Sequence, residues 1–455
     1  MLNRKDEFVM AGNGGGSWQI FKAGVNKDGT TVAMNVTQHP MGGVGRGSLQ
    51  NQPYTYRFPL VYNETSSVHT NVDSNRPLRA PGSPPACFAI ESLMDELADK
   101  ISMDPVEFRK KNLAGVNPQD SAAWIRQLER GAKEIGWERR NPVAGSSPGT
   151  LKRGFGCAVG SWGGGGRGGN IVDVVVTQDG KVTASIGSQD LGTGTRTYIV
   201  AIVAEELGLE MADVQAEIGS TKLGNASNSG GSSTAPSVAP VVKSAAFKAR
   251  AEIAKAVAPL LGAQPDDVVF DNRTVAANGK TLTWSQACKA LPAGGVKVQG
   301  EFIASLASNR TRGASFAEVE VDTETGHVRP IRMVHVQDCG LPLNRLAVES
   351  QINGGMVQGV GMALLEGAII DERLGFMLNS SFMDYKIPGC MEMPEFVPLI
   401  DDGDERNAVV GMGEPPSIPP AAAIANAIFN ACGVRVRDLP ITPDKILMGL
   451  MAKTA

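Results

Sequence analysis

The segment Gly411-Met412-Gly413-Glu414-Pro415-Pro416 restricts what the backbone around it can do. The two prolines fix φ and remove two backbone donors, whereas the glycines allow other segments to approach closely. Ser417 is predicted to cap a helix that continues through residues 421–428 with apolar residues at helical spacing. Glu414 is therefore predicted to lie at a rigid corner, where a desolvated carboxylate suits a general base. For this motif alone, an acidic residue in a surface loop is the alternative.

Length and composition exclude several classes of protein. A chain of 455 residues is long enough for two or three domains. A net charge of −4 and an aromatic content of 5% do not indicate a nucleic-acid surface. No apolar run is long enough to span a membrane and no signal peptide is evident. We expect a cytoplasmic protein, or a periplasmic one if a partner carries the export signal.

Cysteine and histidine usage bears on which metal sites the chain could form. The six cysteines are widely separated, without a Cys-x-x-Cys motif, and none of the four histidines is paired at metal-ligand spacing. Neither an iron–sulfur cluster nor a zinc site is therefore predicted within the chain. Scattered single cysteines are typical of a reducing compartment.

Three further loops and one helical segment combine small residues with few charges. Residues 75–85 carry one arginine predicted to point inward, Arg79, among prolines and small side chains. Residues 190–195 join glycines to the start of a helix, which favours an anion site or a simple tight turn. Residues 224–237 are rich in hydroxyls and amides and read as a second such loop or as a flexible linker. Gln358 lies among glycines on a helix with an apolar face.

The remaining pattern predicts alternating strands and helices. Hairpins are predicted around residues 27–29 and 179–180, and further strands at 316–322 and 328–337. Asp104-Pro105 is predicted to cap a helix. Residues 1–8 read as the end of a strand, and residues 385–388 as the end of another. The Gly-x-Gly spacing at residues 154–156 is a weak dinucleotide-loop signal, because no strand–loop–helix context surrounds it.

Taken in order, six landmarks resemble the molybdenum-binding subunit of the xanthine oxidase and aldehyde oxidase family. They are Arg79-Ala80-Pro81-Gly82, Asp190-Leu191-Gly192-Thr193-Gly194, Gly231-Ser232-Ser233-Thr234, Val357-Gln358-Gly359-Val360-Gly361, Tyr385-Lys386-Ile387-Pro388 and Gly413-Glu414-Pro415-Pro416.

The resemblance implies an α+β fold of two elongated mixed α/β domains of the molybdopterin-binding type. Residues 1–145 would be the C-terminal part of an incomplete first domain, and residues 146–455 the second domain. It also implies a molybdenum hydroxylase that oxidises an aldehyde or N-heterocycle with water as oxygen source. The cofactor would be molybdopterin, in the cytosine dinucleotide form, with molybdenum.

Electrons would pass to [2Fe-2S] clusters and FAD on partner subunits. A companion chain is also expected to supply the upstream half of the first domain.

The resemblance assigns roles to individual residues. Glu414 would be the catalytic base, and Pro81 and Trp162 would bind substrate. No side chain would ligate the molybdenum, which the pterin dithiolene holds. The residues implied to bind the cofactor are Arg79, Ala80, Leu191, Gly192, Thr193, Gly194, Ser232, Ser233, Thr234, Gln358 and Gly413.

Three departures from the family pattern bear on the substrate. Thr193 replaces the glutamine of a common Gly-Gln-Gly loop, Pro81 replaces an aromatic residue, and Gly14 replaces a substrate-orienting arginine of xanthine oxidases. An aldehyde or apolar ring is therefore expected rather than a purine. The alternatives are a xanthine or purine dehydrogenase, a non-catalytic fragment or scaffold half, and a flavin or nicotinamide dehydrogenase built on the glycine loops.

Overall fold

The computed structural model describes residues 2–45 and 47–454. Helices alternate with four sheets, three of which combine parallel and antiparallel strand pairs, while the sheet formed by residues 269–283 is antiparallel throughout. The predicted α+β class is confirmed. The domain boundary between residues 145 and 146 stays a prediction.

The first elements are a short helix and a small mixed sheet: α1 (Arg4–Met10), β1 (Ser17–Val25), β2 (Thr31–Gly42), β3 (Leu60–Thr65) and β4 (Val68–His69). β1 and β2 form the predicted hairpin, and β3 pairs with β2 in parallel. The strand end predicted at residues 1–8 is wrong where the chain is described, because the Asn3 side chain caps α1 by accepting from the amide of Asp6. Met1 lies outside the described residues.

Three helices follow: α2 (Ser83–Lys100), α3 (Pro105–Leu113) and α4 (Pro118–Ile135). Asp104 caps α3 as predicted, and its carboxylate accepts from the amides of Val106 and Glu107 at 2.8 and 3.1 Å. A fully buried ion pair between Glu91 and Arg109, 2.7 Å apart, ties α2 to α3.

The second part of the chain contains fifteen elements. They are β5 (Leu151–Trp162), β6 (Asp173–Val176), β7 (Val182–Ile186), α5 (Thr195–Leu207), β8 (Val214–Ile218), α6 (Thr234–Leu261), β9 (Val269–Asp271), β10 (Thr274–Ala277), β11 (Lys280–Thr283), α7 (Trp284–Lys289), β12 (Val296–Gln299), β13 (Thr311–Asp322), β14 (Val328–Gln337), α8 (Arg345–Leu364) and β15 (Glu395–Ile400). Two helices complete the described chain, α9 (Pro420–Cys432) and α10 (Pro443–Thr454).

A sheet with strand order β15-β14-β13-β5 forms the centre of the fold. Alternate residues of β13 face opposite sides, so Phe316 belongs to an apolar cluster with α4 whereas Ala317 belongs to one with α8 and α9. A second sheet, β12-β6-β7-β8, is covered by α5 and α6 through a third apolar cluster. The site lies where the loops of these two sheets meet.

The Gly-x-Gly spacing in β5 has a packing cause. A Cβ at Gly154 or Gly156 would overlap the backbone of α9, at Ala427 and at neighbouring residues. The glycines therefore let α9 lie directly on β5. Both are strand residues, so they do not form the loop that a dinucleotide-binding motif requires.

Two local predictions are wrong. Ser417 does not cap the final apolar helix: it lies in a short 3₁₀ turn, Pro415–Ser417, and donates from Oγ to the carbonyl of Glu414, while α9 begins at Pro420. Residues 385–388 do not end a strand, since they lie in an irregular segment between α8 and β15. There the Tyr385 hydroxyl donates to the Glu366 carboxylate at 2.9 Å.

Candidate active site

A cavity of about 670 Å³ opens where the loops that precede several helices converge. Its walls include residues just before or at the starts of α2, α5, α6 and α8, together with the segment 409–414. The N-terminus of a helix presents unpaired amides and the positive end of the helix dipole. The wall is therefore suited to a ligand with anionic or strongly polar groups.

Two residues supply the charges of this cavity among the described residues that line it, Arg79 and Glu414. The remaining lining is mostly apolar, with hydroxyl groups from threonines and serines between the apolar side chains. One cation and one carboxylate in a largely apolar cavity are typical of a site that orients a ligand by a few polar contacts.

Glu414 is half-buried and its carboxylate is held from two sides. The amide of Ala80 donates to Oε1 at 3.2 Å, and the hydroxyl of Ser232 donates to Oε2 at 2.9 Å. The amide of Glu414 in turn donates to Oγ of Ser232 at 2.9 Å. The carboxylate that the sequence predicts as a base therefore lies at the cavity wall in a fixed orientation.

The glycines around Glu414 let three segments meet. The amide of Gly411 donates to the carbonyl of Gly164 at 2.9 Å, and a Cβ at Gly411 would overlap the carbonyl oxygen of Ser232. The close approach predicted from the Gly-Met-Gly sequence is thus an approach between loops of this chain. It brings the Ser232 hydroxyl within reach of Glu414.

Arg79 points inward, as the sequence predicts. Its Nη2 donates to the carbonyl of Gln351 at 2.9 Å, and its Nη1 donates to Oε1 of Gln358 at 3.4 Å. Burial lowers the pKa of Arg79 to about 10, against the opposing effect of the nearby Glu414 carboxylate. Its Nε is buried without a hydrogen-bond partner, and a buried donor of this kind is costly unless a ligand accepts from it.

The loop at residues 190–195 already contains an anion. Oδ1 of Asp190 accepts from the amides of Gly192, Thr193 and Gly194 at 2.9, 3.1 and 3.3 Å. These are amides for which the sequence predicts cofactor contacts. Thr193 and Gly194 nevertheless line the cavity.

The structure brings most of the predicted site residues to one cavity. Those that line it are Arg79, Pro81, Trp162, Leu191, Thr193, Gly194, Ser232, Thr234, Gly413 and Glu414. Ala80 is buried behind the wall and reaches Glu414 through its amide. Gly192 and Ser233 belong to lining loops without lining the cavity themselves, and Gln358 contacts it only through Arg79.

Several lining residues were not predicted, and Gln351 is the most informative. It lies two helical turns before Gln358 on α8, and so on the same face, which is the signal that could have found it. Its Oε1 is 3.4 Å from Nη2 of Arg79. Leu341 and Asn344 also line the cavity, from the loop that leads into α8.

One side of the cavity is apolar. Trp162 is fixed there by a hydrogen bond of 3.1 Å from its Nε1 to the carbonyl of Gly231. Pro81, Leu78 and Leu341 line the same cavity. A flat apolar substrate would find contact area on these residues.

The described residues contain neither a membrane-spanning helix nor a group of metal-ligating side chains. Across residues 2–45 and 47–454, no helix is both long and apolar enough to cross a membrane. In the same part of the chain, no three His, Cys, Asp or Glu side chains are grouped so that they could hold a metal ion.

Comparison with known protein families identifies the fold and its cofactor. Residues 130–394 match a molybdopterin cofactor-binding domain family, and residues 1–113 match a second family of the same description. The chain belongs to the molybdopterin cofactor-binding family. The resemblance to molybdenum-binding subunits of this class is thereby confirmed.

The curated relatives of this family member carry names of that class. The chain is 32% identical over 427 residues to the aldehyde oxidoreductase molybdenum-binding subunit PaoC of Escherichia coli (strain K12), covering 89% of this chain and 56% of that protein. It is 29% identical over 462 residues to the putative xanthine dehydrogenase molybdenum-binding subunit XdhA of the same organism, covering 93% and 61% respectively. The chain thus spans little more than half the length of these relatives.

Solved structures share the fold. Quinoline 2-oxidoreductase from Pseudomonas putida 86 superposes with a TM-score of 0.82 at 22% identity, covering 99% of this chain and 64% of that one. The aldehyde oxidoreductase from Desulfovibrio desulfuricans ATCC 27774 has a TM-score of 0.74 at 24% identity, covering 98% and 50%. At these identities the likeness shows the fold alone.

The cavity fits a molybdopterin on its own features. The unpartnered Nε of Arg79 and the converging helix starts suit an anionic, hydrogen-bonding ligand. The amides that Asp190 occupies do not contribute to this fit.

Proposed function

We propose that this chain carries the molybdopterin site of a molybdenum hydroxylase, an oxidoreductase that oxidises an aldehyde or N-heterocycle with water as the oxygen source. The observation that carries the proposal is the carboxylate of Glu414, held by Ala80 and Ser232 at the wall of a cavity that also presents Arg79. When bound, the molybdenum cofactor would supply the redox centre and the Lewis acid.

The chain's own residues have separate tasks in this proposal. Glu414 accepts the proton that is released when the oxygen nucleophile forms, and its two hydrogen bonds keep one carboxylate face directed into the cavity. Arg79, anchored on the carbonyl of Gln351, offers its buried Nε to the cofactor. Gln358, which lies on α8 as Gln351 does, accepts a hydrogen bond from Arg79.

We propose the cytosine dinucleotide form of molybdopterin. Since Asp190 occupies the amides of Gly192 to Gly194, the better position for a phosphate is the loop 230–234 at the start of α6. Thr234 lines the cavity there, at the positive end of a 28-residue helix. Mass spectrometry of the released cofactor tests this form: a cytosine nucleotide is expected, and pterin monophosphate alone would contradict it.

Partners complete the proposed enzyme. Relatives are named as subunits, and the six cysteines of this chain are all free, five of them buried and Cys390 exposed. We propose an iron–sulfur subunit with [2Fe-2S] clusters and an FAD subunit as electron acceptors. A further chain or segment would supply the part of the relatives' length that this chain does not span.

As substrates we propose small aldehydes or apolar rings in preference to purines. Pro81 and Trp162 offer contact area but no hydrogen-bond donor aimed at a purine carbonyl, because the Nε1 of Trp162 is already used by Gly231. Polar groups left without partners in a cavity are strongly discriminated against. The second candidate, a xanthine or purine dehydrogenase, predicts the opposite preference.

The experiment is anaerobic turnover of the purified assembly with an artificial electron acceptor. Molybdenum and pterin contents are measured first, and then benzaldehyde, quinoline and xanthine are compared by kcat/KM. Product formation without oxygen identifies water as the oxygen source. Absence of molybdenum from the intact assembly, or a requirement for dioxygen, would refute the proposal, and xanthine as the best substrate would replace the substrate class.

A further inference from the structure

Two residues with unusual backbone conformations hold the carboxylate of Glu414. Ala80 has φ of 56° and Ser232 has φ of 59°, in the left-handed region that residues with a Cβ rarely adopt. Within the described chain, the other non-glycine residues with positive φ are Ser102, Asn272, Arg273, Asn278 and Arg310. Ala80 and Ser232 are the members of this group that donate to Glu414. Such strain concentrates where the surrounding structure requires one geometry.

The hydroxyl of Ser232 forms two hydrogen bonds with Glu414. It has one proton, which it donates to Oε2 at 2.9 Å, and it accepts from the amide of the same residue at 2.9 Å. A small ring of hydrogen bonds thus joins the backbone and the carboxylate of Glu414 through one side chain. This arrangement leaves the hydroxyl no proton to donate to a cofactor.

The position of Ser232 is determined by contacts on its other side. Its carbonyl oxygen lies against Gly411, where any Cβ would overlap it. The amide of Gly411 also donates to the carbonyl of Gly164 at 2.9 Å. The backbone of Ser232 is therefore held against the segment that carries Glu414, which keeps its side chain beside that carboxylate.

We propose that Ser232 is a positioning residue, which orients the carboxylate of Glu414 toward the reacting atoms rather than binding the cofactor. The inference rests on the proposed function of Glu414 as the base. Ala80 serves the same carboxylate through its amide, which side-chain substitution at residue 80 does not remove. Ser232 is accordingly the residue at which the arrangement can be tested.

Ser232→Ala removes the hydroxyl and keeps a Cβ at the same backbone position. Ser233→Ala is the matched control, because the Ser233 hydroxyl is buried in the same loop but donates to the carbonyl of Gly230 at 2.8 Å.

In the purified molybdenum-loaded assembly, Ser232→Ala should lower kcat by roughly 10- to 100-fold, the range expected for a lost hydrogen bond to a charged group. KM and molybdenum content should be unchanged. The acidic limb of the kcat/KM profile should move to higher pH, because the charged carboxylate loses a donor. In Ser233→Ala, which keeps both hydrogen bonds of the Glu414 carboxylate, this limb of the pH profile should not move.

A second readout does not depend on activity. The melting temperatures of Ser232→Ala, Glu414→Gln and the double variant form a cycle, in which the two shifts should be non-additive because the side chains share a hydrogen bond. The melting-temperature shifts of Ser233→Ala and Glu414→Gln should add.

The outcomes separate the two levels of inference. If Glu414→Gln is inactive while Ser232→Ala keeps both kcat and the pH profile, the positioning role is refuted and the base remains. If Glu414→Gln is active, the base assignment itself fails. Loss of molybdenum in Ser232→Ala would make it a cofactor-holding residue and overturn the positioning role.

Discussion

Substitution of Gly411 by alanine should destabilise the site, because the added Cβ has no room beside neighbouring backbone atoms. The added Cβ would overlap the carbonyl oxygen of Ser232 and lie 2.9 Å from the carbonyl oxygen of Gly164. Both obstacles are backbone atoms, which cannot rotate away as a flexible side chain would. The segment 409–414 must therefore separate from its neighbours.

The magnitude follows from the contacts that this separation breaks. Three hydrogen bonds of 2.9 Å depend on the close approach: Gly411 to Gly164, Glu414 to Ser232 through its amide, and Ser232 to the Glu414 carboxylate. Each contributes about 1 kcal/mol, and overpacking adds about 1–3 kcal/mol. We expect Gly411→Ala to lower the free energy of unfolding by roughly 4–6 kcal/mol.

The assay is urea unfolding of the full chain, combined with molybdenum content and turnover. Gly413→Ala is the matched control two residues away. There the nearest atoms to an added Cβ are Oγ of Ser232 at 3.9 Å and Oε1 of Gln351 at 4.0 Å, which is ordinary contact. Gly413→Ala should remain within about 1 kcal/mol of the parent protein. Equal urea midpoints for the two variants would refute the reasoning.

Three further predictions concern other residues. Glu414→Gln keeps the shape of the side chain but removes its basicity, so turnover should fall by ~10²–10⁴ with molybdenum retained; near-normal turnover would contradict the base assignment. Gln358→Leu removes an acceptor from Arg79 and should lower molybdenum content without changing the urea midpoint; unchanged metal and turnover would leave Gln358 a purely structural role. Burial lowers the pKa of His335 to about 4 from its usual 6.5, so its contribution to stability is complete above pH 6.5 and is lost as the pH falls to 4. Between pH 7 and pH 4, the parent protein should therefore lose on the order of 3 kcal/mol more of its free energy of unfolding than His335→Gln does, as measured by urea unfolding. An equally steep loss in the variant would disprove this.

Local pattern was sufficient where local physics decides the structure. The β1–β2 hairpin follows from Lys27-Asp28-Gly29, and the start of α3 follows from the side chain of Asp104 and the fixed φ of Pro105. These features depend on residues close in sequence.

Features that depend on competing hydrogen bonds or on distant segments were not predictable. The start of α9 at Pro420 instead of Ser417 reflects the carbonyl of Glu414, which uses the Ser417 hydroxyl in a preceding turn. The role of the Ser232 hydroxyl requires a contact across 182 positions of the chain. A periodic pattern on α8 contains Gln351, but only the position of Arg79 shows why that face matters.

The loop at residues 190–195 shows how a correct physical rule can leave the ligand open. Gly-rich backbone before a helix does collect an anion here, and that anion is the Asp190 carboxylate, which accepts four amides including that of Arg196 at 3.1 Å. A phosphate at the same amides would have to displace a carboxylate tethered two residues away, whose effective concentration is high. In the proposed enzyme we therefore expect any contact of this loop with the cofactor to involve the side chains of Leu191 and Thr193 and the first turn of α5, which line the cavity, rather than the amides bonded to Asp190.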